Sequence, residues 1–223
     1  ADDQLLSLDE TFSRLDDIWI PVVYTGFVAP KVNPAAGRQL RQALGIGSDE
    51  KLIVVSAGGG RSGYDLLSCI LKTYPLLAQT DPVRIEMFAG PFREPEEFKR
   101  LTAKAVNGVR IRYYTKRFLD YLSAADLSIS LAGYNTCMNL MAAQVPALIY
   151  PYSKQQEQPL RVSKINRFIP MKILRDNDIE PTVMSRYIQE MLLESRPSEG
   201  VPINLAGAAN TARYLTTWIG SSL

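Results

Sequence analysis

The sequence predicts an α/β fold, a parallel sheet of about six strands flanked by helices. Three observations carry this expectation. Short apolar runs alternate with helical patterns along most of the chain. The first of them, Lys51–Ala57, is a fully apolar run in its middle, as a strand covered on both faces reads. Several end in glycine-bearing turns, and sheets of this kind bind ligands beyond the carboxyl ends of their strands.

The elements follow in order. Ala1 to Asp17 is acidic and reads as a loop with a short helix around Leu8–Leu15. Ile18–Val28 is extended and apolar, cut by Pro21, and reads as a connector entering the domain. A helix over Pro34–Leu44 closes at Gly45. Strands are expected at Lys51–Ala57, Val83–Ala89, Val109–Tyr114, Asp126–Ala132, Ala147–Tyr150 and Met171–Leu174. Helices are expected between them at Ser62–Gln79, Pro95–Val106, Arg117–Ala124, Asn135–Ala143 and Gln156–Asn166. Thr182–Glu194 and Ile203–Ile219 are the last two helices.

Composition removes several function classes. The 223 residues carry 25 basic and 23 acidic groups, and this near balance argues against a dedicated nucleic-acid binder. Histidine is absent, so no Ser-His-Asp or Cys-His triad can form within the chain. A general base must be a carboxylate or come from elsewhere. Cys69 and Cys137 sit in apolar helical patterns and read as buried small hydrophobes, which favours a reducing, cytoplasmic location. Two cysteines are too few for a structural zinc site. No apolar run approaches the ~20 residues of a membrane span.

Three loops carry the chemistry. The first is Gly58-Gly59-Gly60-Arg61-Ser62-Gly63, between a strand and a helix. Glycines let backbone N–H groups approach an anion, and the following helix presents its positive end. Gly58, Gly60 and Gly63 satisfy G-x-G-x-x-G. A dinucleotide site also wants an acidic residue at the tip of the next strand, whereas Glu86 lies inside that strand. A bare tight turn is the other reading. In the second loop, Gly133-Tyr134-Asn135-Thr136, the Asn135 and Thr136 side chains can cap the helix and its N–H groups can hold a phosphate. The third runs from Tyr150-Pro151-Tyr152 to Glu157-Gln158 and Arg161, where a carboxylate and amides suit sugar hydroxyls. A solvated polar turn is its alternative. The triplet Asp176-Asn177-Asp178 directly precedes a helix and is read as helix-entry chemistry rather than a cation site.

Taken in this order, the glycine turn, the strand ending in Ala132-Gly133-Tyr134-Asn135-Thr136, and the Pro151 strand followed by Glu157-Gln158-x-x-Arg161 show a resemblance. They resemble the C-terminal donor-binding domain of GT-B glycosyltransferases, nearest to glycosyltransferase family 28. Val145–Pro151 and Tyr121–Leu127 fit the same pattern. The resemblance implies a Rossmann-like sheet forming the C-terminal half of a GT-B fold, and a hexosyltransferase using a nucleotide diphosphate sugar such as a UDP-sugar. It implies that Gly58, Gly59, Gly60, Arg61 and Ser62 cradle the diphosphate together with Gly133, Tyr134, Asn135 and Thr136. The base would lie against Tyr114, Thr115 and Phe118, and the sugar against Glu157 and Gln158 with support from Arg161. The ribose would meet Asn139, where the family commonly has glutamate, and Glu157 stands where many relatives have histidine.

The resemblance also implies a missing N-terminal domain of the same enzyme, holding the acceptor site and the general base. Residues 1–25 would be the connector and 26–223 the donor-binding domain, inactive alone. The helix around Asn204–Ile219 would pack toward the missing half, and its apolar face would drive a fragment dimer. No cofactor and no metal are expected. The acceptor is unknown and membrane association is left open. A sugar-nucleotide epimerase, or a non-catalytic nucleotide-binding domain, are the alternatives.

Overall fold

The computed structural model of the chain describes residues 2–152, 157–198 and 200–220. The strands are β1 (Lys51–Ser56), β2 (Val83–Phe88), β3 (Val109–Arg112), β4 (Leu127–Leu131), β5 (Ala147–Tyr150) and β6 (Met171–Ile173). They form one parallel sheet in the order β3-β2-β1-β4-β5-β6. The order steps outward from β1 to β3, then resumes on the other side at β4. The switch point therefore lies between the carboxyl ends of β1 and β4, where a doubly wound sheet opens a crevice.

The helices are α1 (Pro34–Ala43), α2 (Tyr64–Leu77), α3 (Pro95–Thr102), α4 (Phe118–Ala124), α5 (Tyr134–Ala143), α6 (Glu157–Ile165), α7 (Pro181–Leu192) and α8 (Gly207–Gly220). Both sheet faces are covered. On one face Leu52, Val54 and Phe88 pack with Leu40, Leu122, Met138 and Val162. On the other, Ile53, Val55, Ile85 and Met87 pack with Leu66, Ile70, Leu101 and Ile188. Successive strand residues point to opposite faces, so a strand buried on both favours apolar residues at every position. That is why β1 reads as an unbroken apolar run.

Several expected boundaries shift. The helix expected around Leu8–Leu15 is two separate 3-10 turns, Leu8–Glu10 and Leu15–Asp17. Neither turn buries a residue, and without an apolar face to dock there is nothing to offset the cost of nucleating a longer helix. The helix expected to continue to Val106 ends at Thr102. The last helix begins at Gly207 rather than Ile203, because the preceding residues pair with the connector. Phe27 N donates to the Asn204 carbonyl at 2.7 Å, and Gly207 N donates to the Phe27 carbonyl at 2.9 Å. The residues before Gly26 also pack on the domain: Leu5 is buried in its core, and the Asp2 carboxylate accepts from Asn204 N at 2.7 Å. The third loop's Ser153–Gln156, with the expected start of its helix, lies outside the described residues.

At the amino ends of the strands, one side chain closes several backbone ends. The Arg196 guanidinium donates to the carbonyls of Leu122, Ser123, Ala125 and Ala143, near the ends of α4 and α5. A cation at helix C-termini satisfies orphan carbonyls and opposes the negative end of the dipole.

Glu86 in β2 is 1% exposed, and neither carboxylate oxygen has a hydrogen-bond partner. Arg110 and Arg112 approach it only to 3.8 Å. Burial pushes its pKa above the ordinary carboxylate range, against the pull of Arg112, Arg110 and Arg84. A carboxyl raised on folding stabilises the fold fully below its unfolded pKa, and that contribution is lost as the pH rises through the folded value. Glu86→Gln removes this dependence. Urea denaturation should show the variant gaining stability relative to wild type as the pH rises above about 4, the ordinary carboxylate range. A difference that stays constant as the pH rises contradicts the assignment.

Candidate nucleotide-diphosphate site

The crevice at the switch point is a cleft of about 350 Å³. The loop after β1 supplies Gly58, Gly59, Gly60, Arg61 and Ser62, the loop after β4 supplies Gly133, and Thr136 and Gln158 come from α5 and α6. Phe92 and Tyr152 line it as well. A larger hollow of about 530 Å³ lies at the amino ends of β2 and β3, away from these loops, and mixes Glu50 and Asp81 with Arg84 and Arg110.

The first loop is shaped by contact with its neighbour. Gly60 has φ +91°, and a Cβ there would sit 2.7 Å from the Ala89 carbonyl oxygen. Gly90 has φ +97°, and a Cβ on it would meet the Gly60 nitrogen and Cα at 2.4 Å. The Phe92 N–H donates to the Gly59 carbonyl at 2.9 Å, and Gly58 N donates to Ser56 Oγ at 3.1 Å. Arg61 is exposed, with its guanidinium 5.7 Å from the Phe92 ring centroid.

Two helices start at this cleft, both behind a glycine. Gly63 is the N-cap of α2 and Gly133 the N-cap of α5, and neither helix has a side-chain cap. The sequence suggests Asn135 and Thr136 as caps of α5, but the helix starts one residue earlier and places both inside its first turn. By contrast, α1 is capped by Asn33 and α7 by Glu180, whose carboxylate accepts from Thr182 N and Val183 N. Among the described residues no N-cap side chain thus accepts from the first N–H groups of α2 and α5, and both positive helix ends border one cleft. Such an arrangement binds an anion with charge at two separated points, as a diphosphate has.

The remaining expected residues fall into groups around the cleft. Gln158 is buried, and its Oε1 accepts from Tyr152 N at 2.8 Å. Arg161 is buried on the same helix; it donates to the Ala132 carbonyl and to Glu157 Oε2, both at 3.3 Å, and lies 5.5 Å from the Tyr134 ring centroid. Asn139 is half-buried one turn further along α5. Tyr114, Thr115 and Phe118 do not line the cleft itself. Thr115 Oγ1 accepts from Arg117 N at 3.1 Å, at the start of α4, and the Phe118 ring packs edge-on against Phe88 at 5.8 Å. Tyr114 is exposed, and the Tyr113 carbonyl accepts from Gly90 N at 2.7 Å.

The sequence from residue 53 to residue 209 matches the glycosyltransferase family 28 C-terminal domain. The chain belongs to this family. A relative from Carboxydothermus hydrogenoformans is 30% identical over 128 residues, covering 56% of this chain and 34% of that protein. Its name is UDP-N-acetylglucosamine–N-acetylmuramyl-(pentapeptide) pyrophosphoryl-undecaprenol N-acetylglucosamine transferase. A protein of the same name from Fusobacterium nucleatum is 25% identical over 138 residues, 62% of this chain and 36% of that protein. The chain thus spans about a third of the length of these curated relatives. Among crystal structures, Acinetobacter baumannii MurG superposes with a TM-score of 0.59 at 18% identity, over 83% of this chain and 54% of that one. The calicheamicin glycosyltransferase CalG4 gives 0.63 at 15% identity, over 86% of this chain and 46% of that one. These likenesses establish the Rossmann-like C-terminal half of the GT-B fold.

Two residues at the family 28 domain's cleft carry no sequence signal. Phe92 and Arg93 follow Gly90-Pro91 after β2, where no motif draws attention, yet Phe92 lines the cleft and Arg93 bonds to the glycine loop from behind. Among the described residues no group of three or more Cys, Asp or Glu is placed to hold a metal ion. Asp176–Asp178 forms a 3-10 turn, in which Asp178 accepts from Arg175 N and Asp176 from the Tyr150 hydroxyl, both at 2.8 Å. Burial first, then that bond to Asp176, pushes the Tyr150 pKa up to about 12. Burial likewise pushes the Cys137 thiol up to about 12, so it is no thiolate nucleophile at neutral pH.

The two ends of the glycine loop should respond differently to a methyl group. A Cβ on Gly58 has φ +60° to contend with but meets nothing within 4 Å. Gly58→Ala should therefore cost about 1 kcal/mol, the left-handed penalty alone. Gly60→Ala adds a backbone clash and should cost at least twice as much, about 2 kcal/mol or more. Chemical denaturation of both variants measures this, and equal losses contradict the close approach.

Proposed function

We propose that this domain binds the diphosphate of a nucleotide sugar in the cleft between the β1 and β4 loops. On this reading it serves as the donor-binding part of a glycosyltransferase. The observation that carries the proposal is the convergence of two glycine-started helix N-termini, α2 and α5, on one crevice at the switch point. Family membership sets this geometry in a glycosyltransferase context. The names of the relatives make UDP-N-acetylglucosamine the first donor to test.

The chemistry follows from charge. Displacement at the anomeric carbon leaves negative charge on the departing diphosphate. Preorganised N–H dipoles and the Arg61 guanidinium stabilise that charge without moving. Gln158 and Glu157 offer an amide and a carboxylate to sugar hydroxyls, and Arg161 holds the Glu157 carboxylate. Asn139 meets the ribose without the charge that a glutamate brings to a hydroxyl. No metal or cofactor enters this scheme.

The acceptor site and general base belong, in this proposal, to an N-terminal domain of the same polypeptide. The exposed apolar side chains Trp19 and Ile20 on the connector, and Tyr214, Leu215, Trp218 and Ile219 on α8, form the surface facing it. Two buried free cysteines fit a cytoplasmic location. Among the described residues no helix is long and apolar enough to cross a membrane.

Calorimetric titration with UDP, GDP, dTDP and NAD tests the reading. One nucleoside diphosphate, with UDP the leading choice, should bind. Arg61→Ala should weaken it about tenfold, a loss of about 1.4 kcal/mol. Binding of NAD in preference, or UDP binding indifferent to Arg61, overturns the proposal. UDP affinity without sugar transfer in the longer polypeptide selects a non-catalytic domain, the reading that Asn139 favours.

A further inference from the structure

Arg93 stands out among the charged side chains that the proposed chemistry does not use. Its side chain is 1% exposed, although it sits in a loop between β2 and α3. A buried guanidinium must have its donors met, and here the glycine loop, Arg93's own loop and α3 meet them. Nη2 donates to the Ser62 carbonyl at 2.6 Å, Nε to the Ala89 carbonyl at 3.3 Å, and Nη1 to Glu97 Oε2 at 2.7 Å. Ser62 is the end of the glycine loop, Ala89 is the residue against which Gly60 packs, and Glu97 is in α3. Arg93 does not line the cleft.

We infer that Arg93 is a positioning residue that sets the shape of the glycine loop and thereby its affinity for a nucleoside diphosphate. The inference rests on the donor reading above. A trans peptide is planar, so the N–H of Gly63 points opposite to the carbonyl of Ser62. Holding that carbonyl on the Arg93 side fixes the direction of the N–H at the N-cap of α2. The second bond, to Ala89, braces from within the β2 loop the carbonyl against which Gly60 packs. One rigid fork thus joins the two loops whose glycines touch. An ammonium is a single point and cannot span these three acceptors. Loop N–H groups already aimed need no ordering when an anion arrives, which is the gain of preorganisation.

The test compares Arg93→Lys, Arg93→Gln and Glu97→Gln with wild type in the full chain. Two readouts are taken: UDP affinity by calorimetry, and amide hydrogen exchange of residues 58–63 without ligand. Both Arg93 variants should raise loop exchange about tenfold or more and weaken UDP about tenfold, while peptides from β1 and β4 stay protected. Glu97→Gln leaves the two carbonyl bonds in place and should behave as wild type. The Gln variant keeps the test alive should the Lys variant fail to fold. Lysine restoring both readouts overturns the inference, because charge alone would then suffice. So does a loop that exchanges as in wild type, or one that loosens without loss of UDP affinity. So does equal loosening by Glu97→Gln, which would make the ion pair with α3 the determinant. A wild type that binds no nucleoside diphosphate, with a loop that still loosens on losing Arg93, sinks the donor reading alone and supports the hold on the loop.

Discussion

Two backbones touch where the loops leaving β1 and β2 pass each other, at Gly60 and Gly90, with no room for a Cβ on either. Everything at the cleft follows from that approach. Because the loops are in contact, the Phe92 N–H can reach the Gly59 carbonyl and the Phe92 ring can lie beside Arg61. A few residues on, α2 starts with a second crowded glycine, Gly63 at φ +85°, where a Cβ would meet the Leu131 side chain at 3.0 Å. The sheet order then does the rest, since β4 lies beside β1 and carries α5 to the same crevice.

The helix α5 shows how the fold divides its electrostatics between its two ends. At the end of α5, Arg196 takes the Ala143 carbonyl along with three carbonyls around the end of α4. At the start, Gly133 offers no cap. The negative pole is neutralised within the protein, and the positive pole faces the cleft. Glu86 is the counterexample: a buried carboxylate that two arginines approach without bonding, and whose charged form burial disfavours.

Most of the fold is legible in the sequence because the strands are short and rich in apolar residues, four of them followed within two residues by glycine or proline. All six strands lie within about two residues of where the apolar runs put them, which is how far such boundaries drift. The glycine loop and the Gly133 turn are legible for a related reason: glycine alone gives a chain leaving a strand both backbone freedom and room for close approach. Other features depend on contacts between distant segments. Ile203–Ala206 has helical spacing but is held extended by Phe27 and Ala29, nearly 180 residues away. Asn135 is a good capping residue, yet the cap falls to Gly133, because α5 begins one residue earlier. Arg93 carries no signal at all, since its meaning lies largely in the Ser62 carbonyl of another loop, 31 residues back.

The pairing of Phe27 with Asn204 and Gly207 brings the connector and the start of α8 side by side, with Thr25 and Thr211 in hydrogen-bond contact at 2.8 Å. The two segments are thereby clasped at one small spot on the surface of the domain. In mechanical terms this is a clip loaded in shear: a pull separating the connector from α8 meets a few parallel bonds at once. The clip also reaches the cleft's edge, since Val28 N donates to the Tyr134 hydroxyl at 3.4 Å and the Phe27 and Tyr134 ring centroids lie 6.2 Å apart, so a load on it is felt at the start of α5.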